Sequence, residues 1–240
     1  MHRKNRLSLK ISERLFYFCI MWATKSLEWE FKGQHLVFLP QKAMFWKEER
    51  TLVVADLHIG KVGHFRKAGI AIPKLMEQEE LSVLSDLIHE HKPERIIFLG
   101  DLFHSDHNND WNWLVLWREQ FPAIEMVLVK GNHDILHESY YTEAGFVIFD
   151  TFATCTFLFV HEPLKSASLI DEKKYVISGH IHPGVKLRGL GRQSLTVSCF
   201  YFGEKQAILP AFGKFTGNYC VEAEKSSTVF GVLSEKVVLL

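Results

Sequence analysis

The stretch TLVVADLH, residues 51–58, is an apolar run that ends in an aspartate and a histidine. Such a run is typical of a buried β-strand. Four later stretches repeat the arrangement, each an apolar run that ends in metal-binding side chains: RIIFLGD (95–101), MVLVKGNHD (126–134), TFLFVHE (156–162) and YVISGHIH (175–182). Because the ends of neighbouring strands lie side by side along one edge of a sheet, we expect these groups to meet at one site.

The residue types in these groups predict a particular chemistry. Aspartate, asparagine and histidine together suit ions such as Mn, Fe and Zn. Two such ions, held roughly 3.5–4 Å apart, would clamp the oxygens of a phosphate and lower the pKa of a bridging water that attacks phosphorus. The sequence therefore predicts two-metal phosphoester hydrolysis, with manganese as the first candidate ion and iron or zinc as alternatives. The opposing interpretation is a set of ordinary loop histidines and helix caps, which requires every group to fall at a strand end by chance.

The spacing within each group suggests how its members share an ion. Side chains two apart in a strand point the same way, so Asp56 and His58 can reach one ion together. The same holds for His180 and His182 if the backbone there is extended. Asp101 follows a glycine at a strand end, and its two carboxylate oxygens can bridge two ions. Asp101 is therefore a candidate for both metal binding and catalysis.

Asn132 and the two residues after it have different expected roles. Asn132 offers a neutral carbonyl oxygen, which limits the negative charge around a site that must accept a phosphate. His133 need not be a ligand, and a histidine can donate a proton to the leaving oxygen near neutral pH. Asp134 either orients His133 or caps a short helix over residues 134–144, and the cap is the favoured interpretation.

The composition limits how a partner can bind. A chain of 240 residues fits one domain. Its 28 Lys and Arg residues balance 28 Asp and Glu residues, so nucleic acid would have to bind at a local patch. The four cysteines have no CxxC spacing, and Cys155 and Cys199 lie in apolar runs where we expect buried free thiols. This cysteine usage favours a reducing, cytoplasmic location.

The first residues are predicted to form an extension. Basic HRKNR (2–6) precedes the apolar run LFYFCIMWA (15–23), which is too short to span a membrane. A signal peptide is the alternative, but Glu13 and Arg14 abut the run and no A-x-A cleavage site follows. We expect residues 1–25 to be an N-terminal extension without a membrane role, with a translation start at Met21 as one explanation.

The pattern along the rest of the chain changes at about residue 146. Before it, apolar runs alternate with amphipathic stretches: a hairpin at 27–39, a helix from Lys74 to about His91, and a helix capped by Asp110. After it, the stretches are mostly strand-like. This order predicts an α/β fold in which two packed sheets carry helices on the outside.

With these motifs the chain resembles the calcineurin-like metallophosphoesterases, whose pattern is D-x-H, G-D, G-N-H-D/E, H and G-H-x-H. The resemblance covers roughly residues 27–215 and implies a four-layer α/β/β/α sandwich, with the metallophosphoesterase domain at 26–240. It implies that one ion is held by Asp56, His58, Asp101 and His182. It implies that the other is held by Asp101, Asn132, His161 and His180. His133 would then be the acid beside the leaving group.

Two further stretches carry a narrower resemblance. ADLHIGKVGHFRKAGIAIP (55–73) and LPAFGKFTG (209–217) resemble the bacterial ligase-associated DNA damage response phosphoesterases, a group of endonucleases. The resemblance implies DNA repair in partnership with an ATP-dependent DNA ligase, a helicase and a metallo-β-lactamase-like exonuclease. The alternatives are a phosphomonoesterase, a cyclic-nucleotide phosphodiesterase or a lipid or nucleotide pyrophosphatase of the same superfamily, and a non-catalytic repair scaffold.

Basic residues just past the first motif are the candidate substrate contacts. Lys61, His64 and Arg66, with Lys67 beside them, could hold a phosphodiester backbone without reading its sequence, or they could form a solvated turn. His104 follows Asp101 by three residues and could contact a ligand or a substrate phosphate.

Other residues near the motifs favour a structural role. Lys186, Arg188 and Arg192 could extend the basic patch, but a solvated surface is the favoured interpretation. Trp111, Trp113 and Trp117 could stack on bases, but helical spacing makes Trp113 and Trp117 neighbours, which favours packing under a lid or at a partner interface.

Overall fold

The computed structural model describes residues 25–61, 79–104, 107–164, 174–189, 193–214 and 216–240. The predicted N-terminal extension, apart from Lys25, lies outside these residues. Within them, two β-sheets face each other and helices pack against the first. The described helices are α1 (Glu79–His91), α2 (Asn109–Glu119) and α3 (Glu138–Glu143).

The first sheet has seven strands among the described residues, hydrogen-bonded in chain order. The strands are β1 (Leu27–Phe31), β2 (Gln34–Phe38), β3 (Met44–Trp46), β4 (Thr51–Val54), β5 (Arg95–Leu99), β6 (Glu125–Val129) and β7 (Phe146–Phe149). Strands β1 to β4 pair antiparallel and β4 to β7 pair parallel. The predicted hairpin at 27–39 is confirmed as β1 and β2.

The second sheet has nine strands among the described residues. They are β8 (Phe152–Ala153), β9 (Phe157–Phe159), β10 (Tyr175–Ser178), β11 (Pro183–Arg188), β12 (Ser194–Phe202), β13 (Gln206–Ile208), β14 (Tyr219–Cys220), β15 (Thr228–Leu233) and β16 (Lys236–Leu239). The order is β14-β11-β12-β13-β10-β9-β8, with β15 paired to β12 and β16 paired to β15. Strands β9, β10 and β13 are parallel neighbours.

Two hydrophobic cores hold the layers together. The alternation of side chains along β5 feeds both, because Ile96 and Phe98 face the helices whereas Ile97 faces the second sheet. Leu84 of α1 and Leu114 of α2 are fully buried in the helix core. The core between the sheets is rich in aromatic rings: Phe38, Phe157, Phe159, Phe200, Phe202 and Phe230. The predicted α/β sandwich of two sheets is thus confirmed, and the described residues form its helix, sheet and sheet layers.

The sheet order explains why the motifs meet. Strands β4, β5 and β6 are parallel neighbours, so the first three motifs leave the same edge of the first sheet. Strands β9 and β10 are parallel neighbours in the second sheet and carry the last two motifs. An isolated parallel bridge between Ala55 and Ala211 joins the two sheets at this edge.

Several local predictions were wrong in detail. Helix α2 is capped by Asn108, whose side-chain oxygen accepts the Asp110 N–H at 2.8 Å, so the predicted cap Asp110 lies in the first turn. Trp117 is buried, whereas Trp113 is 48% exposed, so its packing at a partner interface stays a prediction. Cys199 is a buried free thiol, whereas Cys155 is exposed. The helix predicted from Lys74 to about His91 is confirmed over Glu79–His91, and its predicted first turn lies outside the described residues.

Candidate metal centre

The metal-binding side chains come together in two groups at the shared edge of the sheets. Within each group the candidate ligand atoms all lie within 4.8 Å of one another. The first group is Asp56, His58 and His182, and the second is Asp101, His161 and His180. Residues from four of the five stretches thus converge, and Asn132 of the remaining stretch lies beside the second group.

Asp101 lies between the two groups. Its Oδ2 is 3.7 Å from His58 Nε2, and its Oδ1 is 3.5 Å from His161 Nε2. The His133 backbone N–H donates to Oδ1 at 2.8 Å, which fixes the carboxylate. The side chain is 3% exposed. One oxygen therefore faces each group, the arrangement a bridging carboxylate needs.

Asn132 extends the second group. Its Oδ1 lies 2.8 Å from His161 Nε2, and His180 Nδ1 lies 3.2 Å from the same nitrogen. His161 Nδ1 is 2.9 Å from the Leu99 carbonyl oxygen, which can only accept a hydrogen bond, so Nδ1 carries the proton. His161 Nε2 then presents a lone pair toward the amide oxygen. A cation between these two acceptors satisfies both.

Unpartnered atoms in the first group also fit a metal ion. Asp56 Oδ1, His58 Nε2 and His182 Nε2 are buried and have no hydrogen-bond partner among the described residues. A buried polar atom without a partner costs about 1–3 kcal/mol. His182 Nε2 lies 3.6 Å from Asp56 Oδ1, so the atoms face a common point. The oxygen and nitrogen donors suit Mn, Fe or Zn.

The backbone at these residues differs from the predicted extended form. Asp56, His58, Asp101, His180 and His182 have φ between 50° and 69°. This left-handed region is uncommon for residues other than glycine. Residues that are held in it cluster at functional sites. The ligands that are two residues apart therefore lie in tight turns of the backbone and not along an extended strand. His180 and His182 belong to different groups. The prediction that they reach one ion together required extended backbone, and the backbone there is not extended.

The Asp134 carboxylate links the second motif to the third and caps none of the described helices. Helix α3 begins at Glu138 with His137 as its cap. The Asp134 carboxylate instead accepts the backbone N–H groups of Leu102, Phe103 and Gly131 at 2.9–3.1 Å. Burial raises the pKa of Asp134 to about 6, and the hydrogen bonds from Gly131 and Phe103 oppose that rise. The favoured cap interpretation was wrong, and no local signal in the sequence indicates these contacts.

Two histidines, His104 and His133, lie beside His58 of the first group. His58 Nδ1 and His104 Nδ1 are 3.0 Å apart, so a hydrogen bond joins them. The His104 ring lies over His133, with centroids 4.2 Å apart, and His133 is 5.5 Å from the His58 ring. Burial first, then the positive charge of Lys61, lowers the pKa of His58 to about 2. His58 is therefore neutral, the form that binds metal.

Only part of the predicted substrate patch is described. Lys61 is at the rim, where burial lowers its pKa and the charges of Asp101 and Asp56 oppose that shift. His64 and Arg66, with Lys67, lie outside the described residues, as does Arg192.

Glycines give the motifs the room to approach one another. Gly100 has φ +73°, and a Cβ there would lie 2.2 Å from His161 Nδ1 and 2.8 Å from Gly131 Cα. Gly33, in the β1–β2 turn, has a similar φ of +71° but open space around it. Both glycines therefore need a positive φ, but only at Gly100 would an added Cβ clash with neighbouring atoms.

We expect Gly100→Ala to impair both stability and metal binding. Gly33→Ala should cost about 1–2 kcal/mol from its left-handed backbone alone. Gly100→Ala should cost a further ~1–3 kcal/mol for the clash, and by displacing His161 it should weaken metal binding in the second group. Urea unfolding and metal stoichiometry test this. Equal effects of the two substitutions would contradict it.

No helix in the described parts of the chain is long and apolar enough to cross a membrane. 

A protein family and several solved structures are similar to this chain. The family model of the calcineurin-like phosphoesterases matches residues 49–198. A crystal structure of the nuclease MPE from Pseudomonas putida is 29% identical, covers 90% of this chain and 100% of its own, and has a TM-score of 0.72. A protein of unknown function from Aquifex aeolicus is 22% identical over 59% of this chain and 82% of its own, with a TM-score of 0.39. The phosphoesterase Yfce from E. coli is 12% identical over 78% of this chain and 96% of its own, with a TM-score of 0.41.

No curated protein matches the sequence. The similarity to a nuclease agrees with the narrower resemblance carried by residues 55–73 and 209–217. The match to residues 49–198, which contain all five motifs, shows that this chain belongs to the metal-dependent calcineurin-like phosphoesterase family.

Proposed function

We propose that this protein is a two-metal phosphodiesterase that cleaves nucleic acid. The observation that carries the proposal is the placement of Asp101 between two groups of candidate ligands, with one carboxylate oxygen toward each. One ion would be held by Asp56, His58, Asp101 and His182. The other would be held by Asp101, Asn132, His161 and His180. We propose manganese, with iron or zinc as alternatives.

The proposed division of labour follows from the contacts. When bound, the two ions would neutralise charge on the phosphoryl oxygens and lower the pKa of a water. The His133 backbone N–H donates to Asp101 Oδ1 and would keep this carboxylate in place as the shared ligand. His133 itself would hold a proton at the leaving oxygen. His104, which contacts His58 and lies over the His133 ring, would orient both or contact a substrate phosphate.

A nucleic-acid substrate is supported by the nuclease similarity and by basic residues near the centre. Lys61 lies at the rim, and we propose that it contacts the phosphodiester backbone together with His64 and Arg66. Lys186 and Arg188 are exposed on β11, the strand that begins directly after His182. Alternation places these two side chains on the same face of the strand. Such contacts would bind the backbone without reading sequence.

The finer assignments rest on the narrower resemblance. We propose that the enzyme is an endonuclease of DNA repair in the cytoplasm, working with an ATP-dependent DNA ligase, a helicase and an exonuclease. The stretches that support this are residues 55–73 and 209–217.

The test is a metal titration of stripped protein with Mn, Zn, Mg or Fe, using bis-p-nitrophenyl phosphate and p-nitrophenyl phosphate as substrates. We expect metal-dependent cleavage of the diester, followed by cleavage of circular single-stranded or double-stranded DNA, which has no ends for an exonuclease. Cleavage of the monoester alone would replace the proposal with a phosphatase. Two bound ions without turnover would favour a non-catalytic scaffold.

A further inference from the structure

Residues 209–214 (LPAFGK) form a segment, here called the strap, that runs across the metal-centre edge of both sheets. The Leu209 N–H donates to the Ser178 carbonyl at the end of β10, at 2.8 Å. Farther along, the Phe212 N–H donates to the Ala55 carbonyl at 2.7 Å, and the Gly213 N–H donates to the Asp56 carbonyl at 3.1 Å. The strap therefore contacts the backbone of the first motif and of the strand that leads to the last.

The contact between the strap and the first motif is too close for a side chain. A Cβ on Gly213 would lie 2.5 Å from the Leu57 carbonyl oxygen and 3.0 Å from the Asp56 carbonyl oxygen. Because backbone packs on backbone there, a displacement of the strap is passed to Asp56 without a flexible side chain between them.

Lys42 holds the strap from the other side. It lies in the turn between β2 and β3, with φ +64°, and its N–H donates to the Leu39 carbonyl. Its Nζ donates to the Gly213 carbonyl at 3.1 Å, a contact between residues 171 apart in sequence. Gly213 is thus hydrogen-bonded to Asp56 through its N–H, and its carbonyl accepts from Lys42 and, within the same turn, from the Thr216 hydroxyl at 2.9 Å.

The helix layer supplies a second anchor. Glu80 of α1 accepts the Lys214 N–H at 3.3 Å, and Glu79 pairs with the Lys214 ammonium. A cavity of about 350 Å³ lies beside these groups. Burial lowers the pKa of Lys42 to about 8, with Glu80 opposing that shift and Lys214 adding to it. Burying a lysine ammonium costs free energy unless it is hydrogen-bonded or paired, and here the Gly213 carbonyl accepts from it while Glu80 supplies a negative charge nearby.

We propose that Lys42 is a positioning residue of the metal centre, holding the strap against the first motif and so holding Asp56 in its left-handed conformation. Asp56 has φ +53°, a state that costs of order 1–3 kcal/mol and persists only where surrounding contacts maintain it. Its carboxylate is also the acceptor for the His180 N–H, at 2.9 Å, so a shift of Asp56 disturbs both ligand groups. This inference rests on the proposed role of Asp56 as a ligand.

The test compares Mn binding by metal-stripped variants, measured calorimetrically below the unfolding temperature of each. Lys42→Met keeps the length of the side chain and removes the donor, so we expect Mn affinity to fall by ~10–100-fold, as for other residues that orient ligands. Lys42→Arg keeps a donor and should restore most of the affinity. Lys205→Met, at an exposed turn of the second sheet, is the matched control and should bind Mn as the wild type does.

Thermal unfolding of the metal-free proteins separates positioning from simple stabilisation. A merely structural lysine would lower the unfolding temperature and leave Mn affinity unchanged, and that result would overturn the proposal. If Lys42→Met does not fold, Glu80→Ala releases the Lys214 N–H and should weaken Mn binding roughly tenfold; unchanged affinity there would equally count against the strap.

The proposed activity can fail separately. If the wild type binds Mn but hydrolyses no diester, the nuclease proposal fails while the affinity comparison still decides the role of Lys42. If the wild type binds no metal, the inference about Lys42 is wrong as well.

Discussion

Asp101→Asn should abolish metal-dependent hydrolysis and remove at least one of the two ions. The substitution replaces one of two charged oxygens with an amide NH2 group, which points hydrogens at a cation. Because the two oxygens face different ligand groups, either orientation of the amide leaves one group without its shared ligand. Substitutions that only disturb ligand orientation cost ~10–100-fold in metal affinity or activity, so we expect a larger loss here. Metal analysis of the purified variant and diester hydrolysis at saturating Mn measure it.

Asp86→Asn is the matched control. It also replaces a carboxylate with an amide, but Asp86 is exposed on α1, away from the site. It should leave metal content and rate as in the wild type. Two ions bound with wild-type affinity in Asp101→Asn would show that Asp101 does not bridge, and the two groups would then have to be separate sites.

The positions of the motifs could be predicted because they depend on strand ends. A buried strand is an apolar run, and the residue after it is the first that can carry a polar side chain. Parallel neighbours then bring such residues to one edge, as for Asp56, Asp101 and Asn132 after β4, β5 and β6. Periodicity in the sequence contains this information directly.

The conformation within each motif could not be predicted in the same way. Strand periodicity predicts extended backbone at Asp56 and His58, but both residues have positive φ. The left-handed state is unfavourable locally, so it is imposed by contacts such as the strap and the His180 N–H to Asp56 Oδ2. Because those contacts are distant in sequence, no local pattern indicates them.

The same reason explains the wrong role for Asp134. An aspartate before a helical pattern is an ordinary capping signal. Here Asp134 is 2% exposed. Its carboxylate accepts the backbone N–H groups of Leu102 and Phe103, which lie more than thirty residues earlier in the sequence. The Asp134 carboxylate is therefore hydrogen-bonded to the backbone of the second motif, and His137 caps α3. Lys42 is a similar case, since its turn shows nothing in sequence that connects it to Gly213.

His133→Ala should slow cleavage of DNA by ~10²–10⁴-fold while both ions stay bound. His133 is partly buried beside the first ligand group, with its ring 5.5 Å from the ring of His58 and its backbone N–H on Asp101. Alanine keeps that backbone N–H, so the position of Asp101 should be preserved. The loss should depend on the leaving group, because a sugar alkoxide needs a proton whereas p-nitrophenolate is stable without one. We therefore expect a much smaller loss with bis-p-nitrophenyl phosphate than with DNA.

His89→Ala, on the exposed face of α1, provides the histidine control and should change neither substrate's rate. The role of His133 is decided by the ratio of the rate loss on DNA to the rate loss on bis-p-nitrophenyl phosphate. A uniform loss on both substrates, with metal content intact, would mean that His133 stabilises the phosphoryl group without protonating the leaving oxygen. A loss of metal would make it a ligand or a support for Asp101. Only a loss that grows with the basicity of the leaving group identifies His133 as the acid, because no structural defect distinguishes substrates by that property.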